Sequence, residues 1–217
     1  MSMILGIDEA GRGPVIGPMV MAGAMLDEKE LYRLDALKVK DSKLLTEIQR
    51  EHLYEKLITF INYKIVIILP QEIDDALNSD TLNLNWMEAI KSALIINQLK
   101  PSQAIIDCPS NNIKKYTEYL RKHLNDKKLQ LIVEHKADFN HKIVAAASIL
   151  AKVTRDWEIR KLQEAIPFNL GSGYPSDPST ITFLKEHHAK YENIIRKSWA
   201  PYQTLINSKK QKKLGEF

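Results

Sequence analysis

The stretch from Ile4 to Pro18, ILGIDEAGRGPVIGP, constrains the fold of this chain more than any other. It begins apolar, as a buried strand does, and then places Asp8 and Glu9 side by side before a glycine-rich loop. Desolvating two adjacent carboxylates is costly unless something pairs with them. The glycines allow the backbone to approach a ligand closely. The pattern predicts a strand that ends at a site for a divalent metal and a phosphate-bearing ligand, with an acidic turn before a flexible loop as the alternative.

Composition narrows the class of protein. The 217 residues, 44% hydrophobic and 27% charged, suffice for one sizeable core and a small helical appendage. No apolar run reaches the ~18 residues that a membrane span needs, and the first residues do not resemble a signal sequence. The single cysteine, Cys108, excludes an internal disulfide and suits a reducing compartment. We therefore expect a cytoplasmic monomer that does not contact membranes.

The net charge of +4 is a weak indication of polyanion binding. Residues 207–217, NSKKQKKLGEF, hold four lysines and one glutamate, so +3 of the +4 lies in the tail. Contacts to nucleic acid must therefore come from local sites rather than from bulk charge.

Periodicity and turn residues predict a mixed α/β sheet, because strands and helices alternate after an initial pair of strands. The predicted strands are the opening stretch and residues 19–26, 63–69, 103–107 and 129–134. The predicted helices cover residues 28–37, 46–59, 83–98, 112–124, 142–162, 180–191 and 202–209. We expect a catalytic domain over 1–168, a loop and helical C-terminal extension over 169–209, and a tail over 210–217.

Carboxylates follow several of the predicted strands. Asp8 ends the first strand, Asp107 ends QAIID, and Asp138 follows the fifth strand. Ligand sites of open α/β sheets lie beyond the strand ends. Converging carboxylates, Glu9 included, would hold two Mg²⁺ ions about 4 Å apart, the arrangement of two-metal phosphodiester hydrolysis.

Each acid also has a structural alternative. Asp138 precedes a predicted helix and is a candidate cap for it. Asp8 and Glu9 are adjacent, so in a regular strand they face opposite sides. Both reach one site only if the strand twists or breaks, for which Gly11 provides an opportunity.

Several longer motifs carry a family resemblance. GIDEAGRGPVIGP, DSK at 41–43, IID at 105–107, HKAD followed by AAASILAKVTRD, and GSGYPSDP together resemble ribonuclease HII, with the archaeal branch closest. The likeness extends from Met3 to about residue 200, nearly the whole chain.

The resemblance implies a ribonuclease-H-like five-stranded sheet flanked by helices, with a helical C-terminal extension. It implies Mg²⁺- or Mn²⁺-dependent hydrolysis of RNA in RNA–DNA hybrids, including nicking 5′ of single ribonucleotides in duplex DNA, with 3′-hydroxyl and 5′-phosphate products. The four family carboxylates fall on Asp8, Glu9, Asp107 and Asp138.

The resemblance also implies substrate-reading residues at Gly11, Arg12, Gly13 and Tyr174. Only the 2′-hydroxyl separates a ribonucleotide from a deoxyribonucleotide, and a glycine loop brings main-chain groups close to it. Lys43, Lys152 and Arg155 are candidate phosphate contacts. For Lys152 and Arg155 the alternative is a solvated helix face, on which Arg155 would pair with Asp156 or Glu158. Ser148, among alanines, is interpreted as a packing residue.

The last seven residues, QKKLGEF, resemble the peptide with which replication enzymes bind the sliding clamp. Gln211, Leu214 and Phe217 occupy its glutamine, aliphatic and aromatic positions. The i, i+3 spacing fits a 3₁₀ turn, although one terminal aromatic replaces two. A disordered basic tail is the alternative.

Two other functions compete with an endoribonuclease. A phosphotransferase of the sugar-kinase and actin superfamily also places an Asp after an opening strand, but it requires further glycine-rich phosphate loops, which the sequence lacks. A catalytically silent nucleic-acid module tethered to the clamp would bind substrate without metal-dependent cleavage.

Overall fold

A five-stranded mixed sheet organises the fold. The computed structural model describes residues 2–39 and 45–214, with side chains up to residue 207. The strands are β1 (Met3–Ala10), β2 (Met19–Asp27), β3 (Asn62–Ile68), β4 (Gln103–Asp107) and β5 (Gln130–Glu134). Their order is β3-β2-β1-β4-β5. β1 pairs antiparallel with β2 and parallel with β4, and β4 pairs parallel with β5. The sequence-based prediction of a mixed five-stranded sheet is confirmed.

Helices connect and cover these strands. In the described part of the chain they are α1 (Tyr32–Ala36), α2 (Glu47–Leu57), α3 (Pro70–Leu77), α4 (Leu84–Leu99), α5 (Ile113–His123), α6 (Ala137–Asn140), α7 (Lys142–Ala165), α8 (Pro178–His187) and α9 (Ala200–Leu214). The predicted helix over 28–37 divides into a 3₁₀ turn, Glu28–Glu30, and the short α1. The helix predicted over 180–191 begins earlier, at Pro178, and ends at His187.

Helix α3 was not predicted from the sequence. The strand predicted over 63–69 stops before Pro70, and Pro70 is the first residue of α3. Proline suits that position because its missing N–H would have no partner in the first turn of a helix, and its φ is already helical. The Glu72 carboxylate accepts a hydrogen bond from the Leu69 amide at 3.3 Å, which caps the same end.

Two glycines show which helix lies on which face of the sheet. A Cβ on Gly6 of β1 would lie 2.5 Å from the carbonyl group of Ile143, so the backbone of α7 rests directly on β1. A Cβ on Gly23 of β2 would lie 2.4 Å from the Ile95 side chain of α4. Gly23 pairs with Ile7, the neighbour of Gly6, so α7 and α4 cover opposite faces.

The chain divides into two compact units. The first contains residues 1–10, 20–67 and 84–155, and the second contains 11–19, 68–83 and 156–217. The second unit has its own core, which includes Val15, Phe183 and Ile194. The glycine-rich loop and α3 therefore pack with the C-terminal part of the chain.

Some predicted features lie at or beyond the limits of the described residues. Lys43 and Phe217 fall outside them, and Gln211 and Leu214 are described in backbone only, within α9. No helix among the described residues is long and apolar enough to cross a bilayer.

Candidate active site

The carboxylates of Asp8 and Asp107 lie at the ends of adjacent parallel strands. Ile7 of β1 is in register with Ile106 of β4, and an acid follows each of them directly. Neighbouring strands lie about 4.8 Å apart. The repeated pattern of an apolar run followed by an acid therefore places two carboxyl groups side by side at one edge of the sheet.

Asp8 is buried, with 5% of its surface exposed. Burial raises the pKa of the Asp8 carboxyl from its ordinary 3.8 to about 7. A hydrogen bond from the Ser148 side chain opposes this shift, and the negative charges of Asp107 and Asp138 reinforce it. The amide of Glu9 also donates to Asp8 Oδ1 at 2.8 Å. Asp8 is thus a desolvated carboxyl group that experiences the negative charges of Asp107 and Asp138.

Asp138 reaches this cluster through α6, a single turn that follows β5. Lys136 adopts a left-handed conformation, φ 59°, and directs the chain from the strand into the turn. The amide of Ala137 then donates to Asp107 Oδ1 at 3.1 Å, which ties α6 to the end of β4. Asp138 is 9% exposed and lies inside α6, so it does not cap α7 as the structural alternative supposed.

Glu9 lies on the opposite face of β1 from Asp8. The strand continues in regular register to Ala10, so no break occurs between the two acids. Burial raises the pKa of Cys108 and of Tyr116 on α5, and the charge of Glu9 contributes to both shifts, which places Glu9 near them. Because Glu9 and Asp8 face opposite sides of β1, binding one metal with both would require Glu9 to reach around the end of the strand.

Helix α7 brings polar side chains to Asp8. Lys152 Nζ donates to Ser148 Oγ at 2.9 Å, and Ser148 in turn bonds to Asp8. The packing role assigned to Ser148 from the sequence was incomplete, because a serine among alanines carries no local sign of its hydrogen-bond partner. Lys152 is half-buried and Arg155 only 7% exposed, so the solvated-face alternative does not hold for Arg155.

The donor set of this cluster fits a hard divalent cation. Carboxylate oxygens are the ligands that Mg²⁺ and Mn²⁺ prefer, and a cation would relieve the mutual repulsion of Asp8, Asp107 and Asp138. Among the described residues, no three His, Cys, Asp or Glu side chains are arranged to hold a metal as they stand.

In the second unit, the glycine-rich loop and Tyr174 contact each other. The Tyr174 ring lies 3.6 Å from where a Cβ of Gly13 would be, a van der Waals distance that places the ring directly beside the loop. The carbonyl of Gly173 accepts hydrogen bonds from the amides of Val15 and Ile16 at 2.8 and 3.2 Å. Tyr174 itself is 40% exposed, so it is not a core residue.

The loop that carries Tyr174 is fixed by the start of α8. The amide of Ser172 donates to Asp177 Oδ2 at 2.6 Å, and this backbone bond lowers the pKa of Asp177. The amide of Gly173 donates to Thr180 Oγ1 at 3.0 Å. Thr180 is fully buried, so the backbone on either side of Tyr174 is held while its ring faces solvent.

Comparison with known proteins identifies the family. The family model described as Ribonuclease HII matches residues 5–202. The chain belongs to the ribonuclease HII family. Ribonuclease HII of Methanococcus maripaludis strain C6 is 42% identical over 224 residues, covering 99% of this chain and 92% of that protein.

Solved structures agree with this ribonuclease HII assignment. The crystal structure of ribonuclease H2 from Pyrococcus horikoshii OT3 has a TM-score of 0.84 at 41% identity, covering 94% of this chain and 96% of that one. A ribonuclease HII from Archaeoglobus fulgidus, solved in complex with PCNA, has a TM-score of 0.82 at 37% identity, covering 93% and 96%. The fold is therefore ribonuclease-H-like, and the expected archaeal-like resemblance is confirmed.

Membership of the ribonuclease HII family also fixes the general activity. The protein is a type 2 ribonuclease H, a hydrolase that cleaves the RNA strand of RNA–DNA hybrids. The ribonuclease H family depends on divalent metal ions. The phosphotransferase and the catalytically silent module are thereby excluded.

Proposed function

We propose that this ribonuclease HII nicks duplex DNA 5′ of a single embedded ribonucleotide, as well as cleaving longer hybrids, by a two-metal mechanism. The observation that supports the chemistry is the buried Asp8, whose pKa is raised by burial and by the adjacent charges of Asp107 and Asp138. Such a cluster of carboxylates is favourable at neutral pH when cations share it.

The carboxylates of Asp8, Asp107 and Asp138, with Glu9 from the strand end, would hold two Mg²⁺ or Mn²⁺ ions. When bound, two such ions supply an activated water and neutralise the charge that develops on the leaving oxygen. Ser148 holds the Asp8 carboxylate in one orientation, and Lys152 fixes the Ser148 hydroxyl. Cleavage at the bond to the 3′ oxygen of the preceding nucleotide leaves 3′-hydroxyl and 5′-phosphate ends.

The second unit would read the sugar. Gly11, Arg12 and Gly13 present main-chain groups, and a 2′-hydroxyl both donates and accepts hydrogen bonds. The exposed ring of Tyr174, packed against Gly13, is available to stack on the neighbouring sugar or base. Lys43, Lys152 and Arg155 remain candidate contacts to the phosphate backbone.

A gel assay on a duplex with one ribonucleotide tests this function. With Mg²⁺ or Mn²⁺ we expect a single nick 5′ of the ribose, and with EDTA none. The matched all-DNA duplex serves as the control and should remain intact. Cleavage of long hybrids together with an intact single-ribonucleotide duplex would contradict the proposed reading of one sugar.

We also propose that the C-terminal residues bind the replication sliding clamp, through Gln211, Leu214 and Phe217. Support comes from the Archaeoglobus fulgidus ribonuclease HII, which was solved in complex with PCNA. Gln211 and Leu214 lie in the last turns of α9, so a 3₁₀ turn on the clamp would replace helix there. Such tethering raises the effective concentration of enzyme near replicated DNA.

The Phe217→Ala variant tests clamp binding. Calorimetric titration of the full chain with the clamp should show heat of binding for the unaltered protein and none for the variant, while nicking of a short duplex is unchanged. Lys212→Ala, at a variable position of the peptide, is the matched control. Equal binding by all three proteins would contradict the proposed contact.

A further inference from the structure

We propose that Arg196 is a positioning residue that holds the Gly11–Gly13 loop in the conformation that recognises the 2′-hydroxyl. This inference rests on the proposed reading of one sugar by that loop. Arg196 lies in the C-terminal part of the second unit, and the sequence motifs do not include it.

The Arg196 guanidinium donates three hydrogen bonds, two to the Gly11–Gly13 loop and one to Gly17, four residues beyond it. Nη2 donates to the carbonyl of Gly11 at 2.6 Å, Nη1 donates to the carbonyl of Arg12 at 3.0 Å, and Nε donates to the carbonyl of Gly17 at 3.1 Å. One rigid, planar group therefore joins the Gly11–Gly13 loop to Gly17. Lysine, a flexible point charge, does not offer this fork of donors.

The backbone around Arg196 runs alongside the same loop. Its amide donates to the carbonyl of Val15 at 2.9 Å, and the amide of Gly17 donates to the carbonyl of Ile194 at 2.8 Å. The indole of Trp199 donates to the carbonyl of Gly13 at 3.0 Å, and the Arg196 guanidinium carbon lies 5.3 Å from the centre of the Trp199 ring. The carbonyls of Gly11, Arg12 and Gly13 are thus all directed towards Arg196 and Trp199.

This arrangement fixes the direction of the loop amides. No peptide bond in the described chain is cis, and in a trans peptide the N–H points opposite to the preceding carbonyl. The Gly11 and Arg12 carbonyls point to Arg196, so the N–H groups of Arg12 and Gly13 point away from it. Two neighbouring amides with a common direction suit an oxygen acceptor such as a ribose hydroxyl.

Burial makes the choice of arginine informative. Arg196 is 0% exposed and is the largest fully buried side chain of the described chain. Placing a cation in the interior is costly unless its donors are satisfied, and an apolar side chain of similar volume avoids that cost. A guanidinium at this position is explained by the carbonyls that it orients rather than by packing alone.

The variants Arg196→Lys and Arg196→Ala test the inference. We expect kcat/KM on the single-ribonucleotide duplex to fall about 10- to 100-fold, because small displacements of a positioning group have effects of this size. The stabilisation of the protein by Mg²⁺, measured as a shift in Tm, should be unchanged, since it reports the carboxylate cluster. Low, non-denaturing guanidinium chloride should partly restore Arg196→Ala, while sodium chloride at equal ionic strength should not.

Leu184→Ala is the matched control, because Leu184 is buried in the same core and supplies no hydrogen bond to the loop. Its nicking rate should match that of the unaltered protein at temperatures where both are folded. Two outcomes would overturn the inference. In the first, the Arg196 variants nick as fast as the unaltered protein. In the second, they lose no more activity than Leu184→Ala and gain none from guanidinium. If Arg196→Ala does not fold, Arg196→Lys decides by the same comparison. Absence of 5′ nicking in the unaltered protein would instead reject the proposed function.

Discussion

The two units use different physical means at their candidate sites. In the first, the site consists of side-chain charge, with carboxylates at the ends of β1 and β4 and on α6 that repel one another when desolvated. In the second, it consists of main-chain groups whose directions are set by hydrogen bonds from Arg196 and Trp199. The carboxylate site of the first unit should therefore be sensitive to substitutions that keep the shape of a side chain and remove its charge. The main-chain site of the second unit should be sensitive to substitutions that keep charge and alter shape.

The strongest test of this contrast is Asp8→Asn, which keeps shape and removes one charge. We expect at least a ~10³-fold loss of nicking, because charge stabilisation by bound metal contributes several kcal/mol to the transition state. Gel-based rate measurements on the single-ribonucleotide duplex check this. Glu118→Gln, at an exposed acid on α5, is the control and should retain full activity. Normal cleavage by Asp8→Asn would remove Asp8 from the metal site.

A second test uses the pH dependence of stability in the metal-free protein. The folded pKa of Asp8, about 7, exceeds its ordinary value of 3.8, so the folded state binds the proton more tightly than the unfolded state. The contribution of Asp8 to stability is therefore present below about pH 4 and lost as the pH rises towards 7. Asp8→Asn should be more stable than the unaltered protein. The difference between their free energies of unfolding should be larger at pH 8 than at pH 5, by up to about 3 kcal/mol.

Chemical denaturation in EDTA at both pH values measures this difference. Adding Mg²⁺ or Mn²⁺ at pH 8 should then stabilise the unaltered protein, because a ligand of the folded state shifts the equilibrium towards it. Asp8→Asn should respond much less. A stability difference between the two proteins that does not change with pH would show that Asp8 is not the group responsible.

The smallest expected effect concerns shape in the second unit. Tyr174→Ala removes an exposed ring that packs on Gly13, and stacking on a nucleotide contributes about 1–3 kcal/mol. We expect kcat/KM on the single-ribonucleotide duplex to fall about 10- to 100-fold. Tm should hardly change because the ring is exposed. Tyr174→Phe keeps the ring and should retain most of the activity; equal losses in both variants would assign the effect to the hydroxyl instead.

Sequence patterns predicted the first unit better than the second. An apolar run that ends in an acid recurs at Asp8 and Asp107. This local pattern predicted both the strands and the position of the acids at their ends. The separation of Asp8 and Glu9 onto two faces also follows from the two-residue period of a strand. Whether the two acids separate in this way depended on β1 remaining a regular strand, and its pairing with β2 is regular as far as Ala10.

Interactions between distant parts of the chain were not predictable in this way. Arg196 bonds to Gly11 across 185 positions, and nothing in its neighbourhood distinguishes it from a surface arginine. Ser148 likewise needed the position of β1 before its hydroxyl had a partner. Helix α3 was missed for a local reason, because proline both ends strands and begins helices.

The close contact between Gly6 and α7 links the packing of β1 two residues before Asp8 to the chemistry of the acids. The hydrogen atom at residue 6 allows the carbonyl of Ile143 to rest on β1, and α7 then brings Ser148 within hydrogen-bond reach of Asp8 and Lys152 within reach of Ser148. A single added methyl group would lift the helix and lengthen that chain of hydrogen bonds. We therefore expect an alanine at residue 6 to impair the enzyme through the position of α7 alone, although residue 6 itself carries no catalytic group.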